Sequence, residues 1–283
     1  DFYQGSNIDS VQWIENEDWI YKRSLHVTDT LLRHAHLDLV FKGLDTFADV
    51  YINDSLIGKA DNMFRTWGWP IKSLLRIGEN ELKVVFRSPI KEGAKLRDAY
   101  GIQLPHDSDP SGVSPYIRKA AYQFGWDFCP RLVTSGIWQG VELRGWSNDR
   151  ILRAGAFLNT GTESLMASCL IETTALSDSV TMLIVRLGDK HQLSMRPPHR
   201  SANIVRFLLD SADLWQPGRI GRATTLPMEV QLLQGSRLLS KWSQEIGLRT
   251  VALAQETDSA GKSFQFIVNG VPVFIKGCNV VPP

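Results

Sequence analysis

Between positions 122 and 142 the chain sets aromatic rings and a carboxylate among residues that bend the backbone. The run is Tyr122-Gln123-Phe124-Gly125-Trp126-Asp127-Phe128-Cys129-Pro130, followed by Thr134-Ser135-Gly136-Ile137-Trp138-Gln139-Gly140-Val141-Glu142. These residue types suit a sugar. A pyranose offers an apolar C–H face to an aromatic ring, and its paired hydroxyls can give a carboxylate two charge-assisted hydrogen bonds. The same residues also suit a buried aromatic corner in which Asp127 bonds nearby backbone amides, a common use of Asp in turns. Trp138, just ahead of the apolar run Val141 to Leu143, reads as a packing residue.

Other candidate constellations are thinner. His34 and His36 share one face of a strand but have no third ligand near them in sequence, so they read as exposed strand residues rather than a metal site. Asp107 and Asp109, flanked by Pro105 and Pro110, read as a solvated loop rather than a catalytic pair. Asn53-Asp54-Ser55 has the pattern of an N-glycosylation sequon, yet it falls where a hairpin turn is expected. The sequence contains no phosphate-cradling glycine loop, no Gly-x-Ser-x-Gly elbow and no His-Glu-x-x-His helix, so nucleotide, esterase and metalloprotease chemistry have no starting residue. No cofactor is implied.

The elements that position the aromatic block belong to a chain of 283 residues, long enough for two β-domains, or two and a piece of a third. With 43% hydrophobic and 22% charged residues and a formal charge of +1, the composition is that of a globular protein. Lys and Arg are scattered, so neither nucleic acid nor an acidic membrane surface is an expected partner. Cys129, Cys169 and Cys278 are too few and too far apart for a disulfide framework and read as buried free thiols. The most apolar stretch, Phe264 to Ile275, is broken by Asn269-Gly270, and the opening Asp1-Phe2-Tyr3-Gln4-Gly5 lacks the basic and apolar regions of a signal, so no membrane span is expected.

Alternation dominates the apolar pattern. Leu37, Leu39 and Phe41 share one side of a strand, as do Ala48, Val50 and Ile52, and then Leu82, Val84 and Phe86. Asn53-Asp54 and Gly78-Glu79-Asn80 supply the turn chemistry around them. A second strand-rich stretch begins near Ile151, with Leu165, Ala167, Cys169 and Ile171 in period two, then Val180 to Leu187 and Met228 to Leu232. The tract Met195 to Arg200 fits a loop or an edge strand. Finally, Asn269-Gly270 between Ser263–Val268 and Val271–Ile275 is a strong hairpin signal.

Set in order, several segments resemble β-mannosidases of glycoside hydrolase family 2. Trp126-Asp127-Phe128 and Ser135-Gly136-Ile137-Trp138 are similar to that family's Phe-x-Trp-Asp-Trp-Gly-Pro and Ser-Gly-Ile-Trp-Arg signatures. The resemblance continues through Val11-Gln12-Trp13-Ile14-Glu15 with Glu17-Asp18-Trp19, Ala48-Asp49-Val50-Tyr51-Ile52-Asn53 and Ala60-Asp61-Asn62-Met63-Phe64-Arg65. It extends to Leu214-Trp215-Gln216-Pro217, Gly247-Leu248-Arg249-Thr250-Val251 and Val268-Asn269-Gly270-Val271-Pro272. Departures are visible too. Phe128-Cys129 stands where the family has Trp-Gly, Gln139-Gly140 where it has Arg or Lys and its neighbour, and Gln216 and Val280 each where it has Trp.

The resemblance implies an all-β fold: a galactose-binding-like jelly-roll β-sandwich over 1–148, then an immunoglobulin-like β-sandwich over 149–248. A hairpin over 249–283 would lead into a (β/α)8 barrel that this chain does not contain. It further implies a retaining exo-β-mannosidase acting on a terminal β-mannoside of an oligosaccharide or glycan, with both catalytic glutamates on the barrel, so that no catalytic residue is expected here. Asp127 would recognise hydroxyls, Trp126 would stack on the ring or shape the pocket with Phe128 beside it, and Asn279 would lie near the sugar at the first barrel strand. Such relatives are lysosomal in animals and periplasmic or extracellular in microbes. Alternatives are a family 2 enzyme for β-galactosides, β-glucuronides or glucosaminides, and a non-catalytic carbohydrate-binding or scaffold protein.

Overall fold

Each of the period-two apolar runs forms a strand that buries one face. The computed structural model of the chain describes residues 4–106, 109–126, 129–159, 164–198, 201–218 and 220–280. It divides into two units, Asp1–Ser147 with Asn279–Pro283, and Asn148–Cys278.

The first unit contains β1 (Trp19–Val27), β2 (His36–Phe41), β3 (Leu44–Asp45), β4 (Phe47–Ile52), β5 (Ser55–Asp61), β6 (Trp67–Pro70), β7 (Gly78–Phe86), β8 (Gly136–Ile137) and β9 (Val141–Trp146). An antiparallel sheet in the order β1-β7-β4-β5 faces a second in the order β6-β2-β9, and β3 pairs with β8. This is the jelly-roll-like sandwich expected from the alternation. Leu39 and Phe41 of β2, Val50 and Ile52 of β4, and Leu82, Val84 and Phe86 of β7 meet in its core. Each such side chain contributes about 1.5–3 kcal/mol by leaving water.

The turn between β4 and β5 explains its own sequence. Asn53 and Asp54 both take positive φ, 48° and 63°, as a two-residue hairpin turn of the mirror-image type requires. The Asn53 amide donates to the Leu74 carbonyl and to Asn80 Oδ1, each at 2.8 Å, and its oxygen accepts from the Glu81 amide at 3.0 Å. The turn is therefore tied to the start of β7 by the one side chain that can both adopt this backbone and bond in both directions.

The period-two reading missed the helix Pro89–Tyr100, which nonetheless has clear ends. Ser88 Oγ accepts from the Lys91 amide at 3.1 Å, Pro89 occupies the first turn, and Gly101 closes the helix at φ 72°. It packs on a small second core of Val113, Ile117, Phe124 and Val133, with Ile90 and Ala94 from its own face. Gly93 permits the contact, because a Cβ there would stand 2.7 Å from Val113 Cβ. Phe124 in this core is the residue just before Gly125 and Trp126, so the helix helps to fix the root of the aromatic block.

The second unit continues with β10 (Ile151–Leu158), β11 (Met166–Thr173), β12 (Met182–Leu187), β13 (His191–Met195), β14 (Ala202–Leu208), β15 (Leu226–Gln234), β16 (Arg237–Ile246), β17 (Val251–Ala254), β18 (Gln265–Val268) and β19 (Val271–Val273). Sheets in the orders β10-β11-β14 and β13-β12-β15-β16 enclose Cys169, Ile171, Leu183, Val185, Met228 and Val230, an immunoglobulin-like two-sheet sandwich. A third sheet, β17-β18-β19, carries the expected Asn269-Gly270 turn, with φ of 49° and 79°. Asn269 repeats the logic of Asn53: its oxygen accepts from the Thr250 amide at 2.8 Å and its amide donates to the Trp215 carbonyl at 2.9 Å.

The expectation of buried cysteines outside any disulfide holds for two positions and fails at the third. Cys129 and Cys169 are buried and form no disulfide, and burial pushes the Cys169 thiol up to about 12. Cys278 is exposed, because it follows β19 in a segment with no strand to bury it. Among the described residues no helix is long and apolar enough to cross a membrane.

Candidate functional site

The aromatic block is built on a 3-10 turn, Ala121–Phe124, and the chain leaves it through Gly125 at φ 95°, a backbone that side chains with a Cβ rarely adopt. Trp126 and Cys129 then pair as an isolated antiparallel bridge. The Trp126 amide donates to the Cys129 carbonyl at 3.2 Å, and the Cys129 amide donates back at 2.5 Å. Asp127 and Phe128, two of the four expected sugar contacts, lie outside the described residues. Trp126 keeps 46% of its surface in water and lines a recess of about 230 Å³ with His106, Asp109, Ser114, Phe124 and Gly125. An indole left half-exposed above a recess has the apolar surface available that stacking on a sugar needs. Asn279, the fourth expected contact, is exposed and outside the strands.

Two ion-paired cations bracket the block, one buried and one half-buried. Ahead of it, Lys119 Nζ donates to both oxygens of Asp45 at 2.7 Å and to the Thr134 carbonyl at 2.5 Å, with the lysine side chain fully buried. Gln123 adds a bond to Asp45 Oδ2 at 3.0 Å, and the Thr46 hydroxyl donates to Asp45 Oδ1. Burial pushes the Lys119 ammonium below the usual lysine range, with Asp45 opposing the shift. Behind the block, Arg131 Nε and Nη2 donate to the two oxygens of Glu15, each at 3.0 Å, and Nη1 donates to Asp109 Oδ1 at 2.7 Å. The Leu132 amide donates to the Gln123 carbonyl at 2.9 Å, closing the loop at its base.

Asp109 corrects the reading of its neighbourhood as a solvated loop: it is 2% exposed. Burial pushes its carboxyl up, but the Ser111 hydroxyl, the Ser114 and Ser111 amides and the Arg131 guanidinium together outweigh burial and hold it at about 2. The Val113 amide donates to it as well, at 3.0 Å. The other expected residue of that pair, Asp107, lies outside the described residues. His106 Nδ1 sits 2.9 Å from the Asp109 carbonyl, which can only accept, so Nδ1 carries the hydrogen.

His34 is half-buried in a bend ahead of β2, and only His36 is an exposed strand residue, its ring stacked 5.1 Å from Trp146. Among the described residues no group of three or more His, Cys, Asp or Glu could hold a metal ion. Trp138 packs as expected on one side, over Gly43, where a Cβ would come within 2.3 Å of its Nε1. That Nε1 donates to the Met63 carbonyl at 2.9 Å, and the other side of the ring is exposed. Sequence reasoning passed over Lys119, Arg131, Asp45 and Glu15. Arg131 stands directly after Pro130 of the block, but its carboxylate partners are 22 and 116 residues away in sequence, and no local pattern marks them.

The family described as glycosyl hydrolase 2 galactose-binding domain-like matches residues 1–139. β-Mannosidase B of Aspergillus niger is 30% identical over 99% of this chain, and goat (Capra hircus) β-mannosidase 27% identical over 99%. The chain spans about a third of the length of these relatives, 34% in each case. The crystal structure of a β-D-mannosidase from Dictyoglomus thermophilum superposes on the whole chain with a TM-score of 0.90 at 34% identity, the match covering 35% of that protein. A β-glucuronidase from Bifidobacterium dentium shares the fold at a TM-score of 0.64 and 20% identity, over 91% of this chain and 42% of its own. Residues 1–139 therefore match the glycosyl hydrolase 2 galactose-binding domain-like family, within a chain that is similar along its whole length to β-mannosidases.

Proposed function

We propose that this chain is the sugar-contacting, non-barrel portion of a retaining exo-β-mannosidase that removes terminal β-mannose from oligosaccharides or glycans. The observation that carries the reading is the similarity of the entire chain, 34% identity with a TM-score of 0.90, to a β-D-mannosidase of which it covers 35%. In this reading the two catalytic glutamates sit about 5 Å apart on a (β/α)8 barrel that follows residues 249–283, one attacking the anomeric carbon and the other protonating the leaving oxygen. This chain's part is recognition. Trp126 offers its half-exposed indole to the apolar face of the sugar. Asp127 accepts two hydroxyls, Phe128 walls the pocket, and Asn279 approaches the sugar from the barrel entrance. The chain alone hydrolyses nothing, because it supplies neither glutamate.

The test is to express the longest reading frame containing these residues and to assay it on aryl β-mannoside, β-galactoside, β-glucuronide and β-glucosaminide. The expected result is turnover with kcat/KM highest for the mannoside. Preference for another glycoside would move the chain to a different enzyme of the same family. Sugar binding without turnover by a folded protein would make it a carbohydrate-binding module.

A further inference from the structure

Arg131 is bonded more completely than a surface loop requires. Its five N–H groups point at five acceptors: Nε and one Nη2 hydrogen at Glu15, the other Nη2 hydrogen at Ser111 Oγ (3.3 Å), and the Nη1 pair at Asp109 Oδ1 and the Phe124 carbonyl (3.3 Å). The guanidinium also lies over the Phe124 ring, 5.3 Å from its centre. These acceptors come from three separate segments. Glu15 belongs to the 3-10 turn Gln12–Asn16, Asp109 and Ser111 to the loop that borders the recess, and Phe124 to the turn that launches Trp126. The first segment is doubly attached, since Gln12 Nε2 donates to the Arg131 carbonyl at 2.9 Å. It is anchored in turn to the helix cap, where Ser88 Oγ donates to the Glu15 carbonyl at 2.7 Å.

The bond from Arg131 to the Phe124 carbonyl spans the block containing Trp126, so the guanidinium fixes both ends of that loop relative to the recess wall. Only a planar fork can meet a bidentate carboxylate, a second carboxylate and a carbonyl at once; an ammonium is a point donor with three hydrogens. We propose that Arg131 is a positioning residue for sugar recognition, and that the N-terminal turn bearing Glu15 is part of the recognition apparatus rather than a passive leader. The proposal rests on Trp126 and its neighbours contacting sugar.

Two measurements test it. The first is amide hydrogen exchange on this chain, with β10 to β16 as internal reference. Arg131→Lys and Glu15→Gln should speed exchange over residues 122–132 and 109–116 by about tenfold or more, leaving the second unit unchanged. Exchange that stays at the parent rate in both segments, or that rises evenly through the whole first unit, overturns the clamp. The second is kinetics on the longest reading frame. Arg131→Lys should raise KM for an aryl β-mannoside about tenfold, with kcat within about twofold, because the catalytic carboxylates are untouched while ring placement is loosened. Parent-like KM together with loosened loops would overturn the positioning role and leave the clamp a purely structural one. Absence of turnover in the parent would sink the glycosidase reading instead, and the exchange result would still decide the clamp. Should Arg131→Lys fail to fold, Glu15→Gln carries both measurements, with effects in the same direction.

Discussion

Asp109 keeps a full negative charge at a place with almost no water, and its dependence on pH follows from that. Its carboxyl is held at about 2, below the ordinary value of 3.8, by donors that exist only in the folded chain. A folded value below the unfolded one means that the stabilisation is complete above roughly pH 5 and is lost as pH falls through 4 towards 2; a depression of this size corresponds to about 2–3 kcal/mol. Asp109→Asn should therefore lower the stability of the first unit at pH 7, and the gap from the parent in urea unfolding should narrow as pH falls from about 5 to about 2.5. A gap independent of pH would contradict this. Asn53 supports a second prediction. Both amide hydrogens of its side chain are already bonded, to Leu74 and Asn80, so the sequon Asn53-Asp54-Ser55 offers no free nitrogen to a glycan. Secreted from a glycosylating host, the chain should carry no mass increment removable by glycosidase at this site, and Asn53→Ala should cost about 1–3 kcal/mol by leaving the Glu81 amide and the Asn80 oxygen short of partners.

At the scale of elements, the strands were legible because one face of each is buried: Leu82, Val84 and Phe86 alternate with half-buried residues all along β7. The two Asn-led turns were legible because few residues tolerate positive φ. The helix Pro89–Tyr100 was not, since its few apolar positions bury only Pro89 and Gly93 fully, and its end signals, Ser88-Pro89 and Gly101, are equally those of turns. Those signals can be weighed by mutation. Ser88→Ala removes the cap on Lys91 and the bond to the Glu15 carbonyl together and should cost about 1–2 kcal/mol. Gly93→Val should cost more, because its Cβ would meet Val113 at 2.7 Å and the helix would have to move off the small core that roots the aromatic block. Thermal unfolding of both variants gives the order. A Gly93→Val chain as stable as the parent would show that the helix packs elsewhere.

Over the whole molecule, an aromatic block between backbone-bending residues was readable from residues 122 to 142, but the charges that hold it were not. Lys119 with Asp45, and Arg131 with Glu15 and Asp109, join residues up to 116 positions apart, and such pairs follow from the fold rather than from any local spacing. One loop and one recess are also less than the enclosure that small ligands usually need. Calorimetric titration of the 283-residue chain with mannose should accordingly show no micromolar affinity, and a micromolar constant would mean that the first unit is a complete binding site by itself. The most direct test of the central claim removes the two proposed contacts from the longest reading frame, as Trp126→Ala and Asp127→Ala. Each variant should keep the parent's melting temperature within a few degrees while kcat/KM for an aryl β-mannoside falls by about a hundredfold. Variants that fold and retain kcat/KM within about twofold of the parent would show that this block does not touch the sugar.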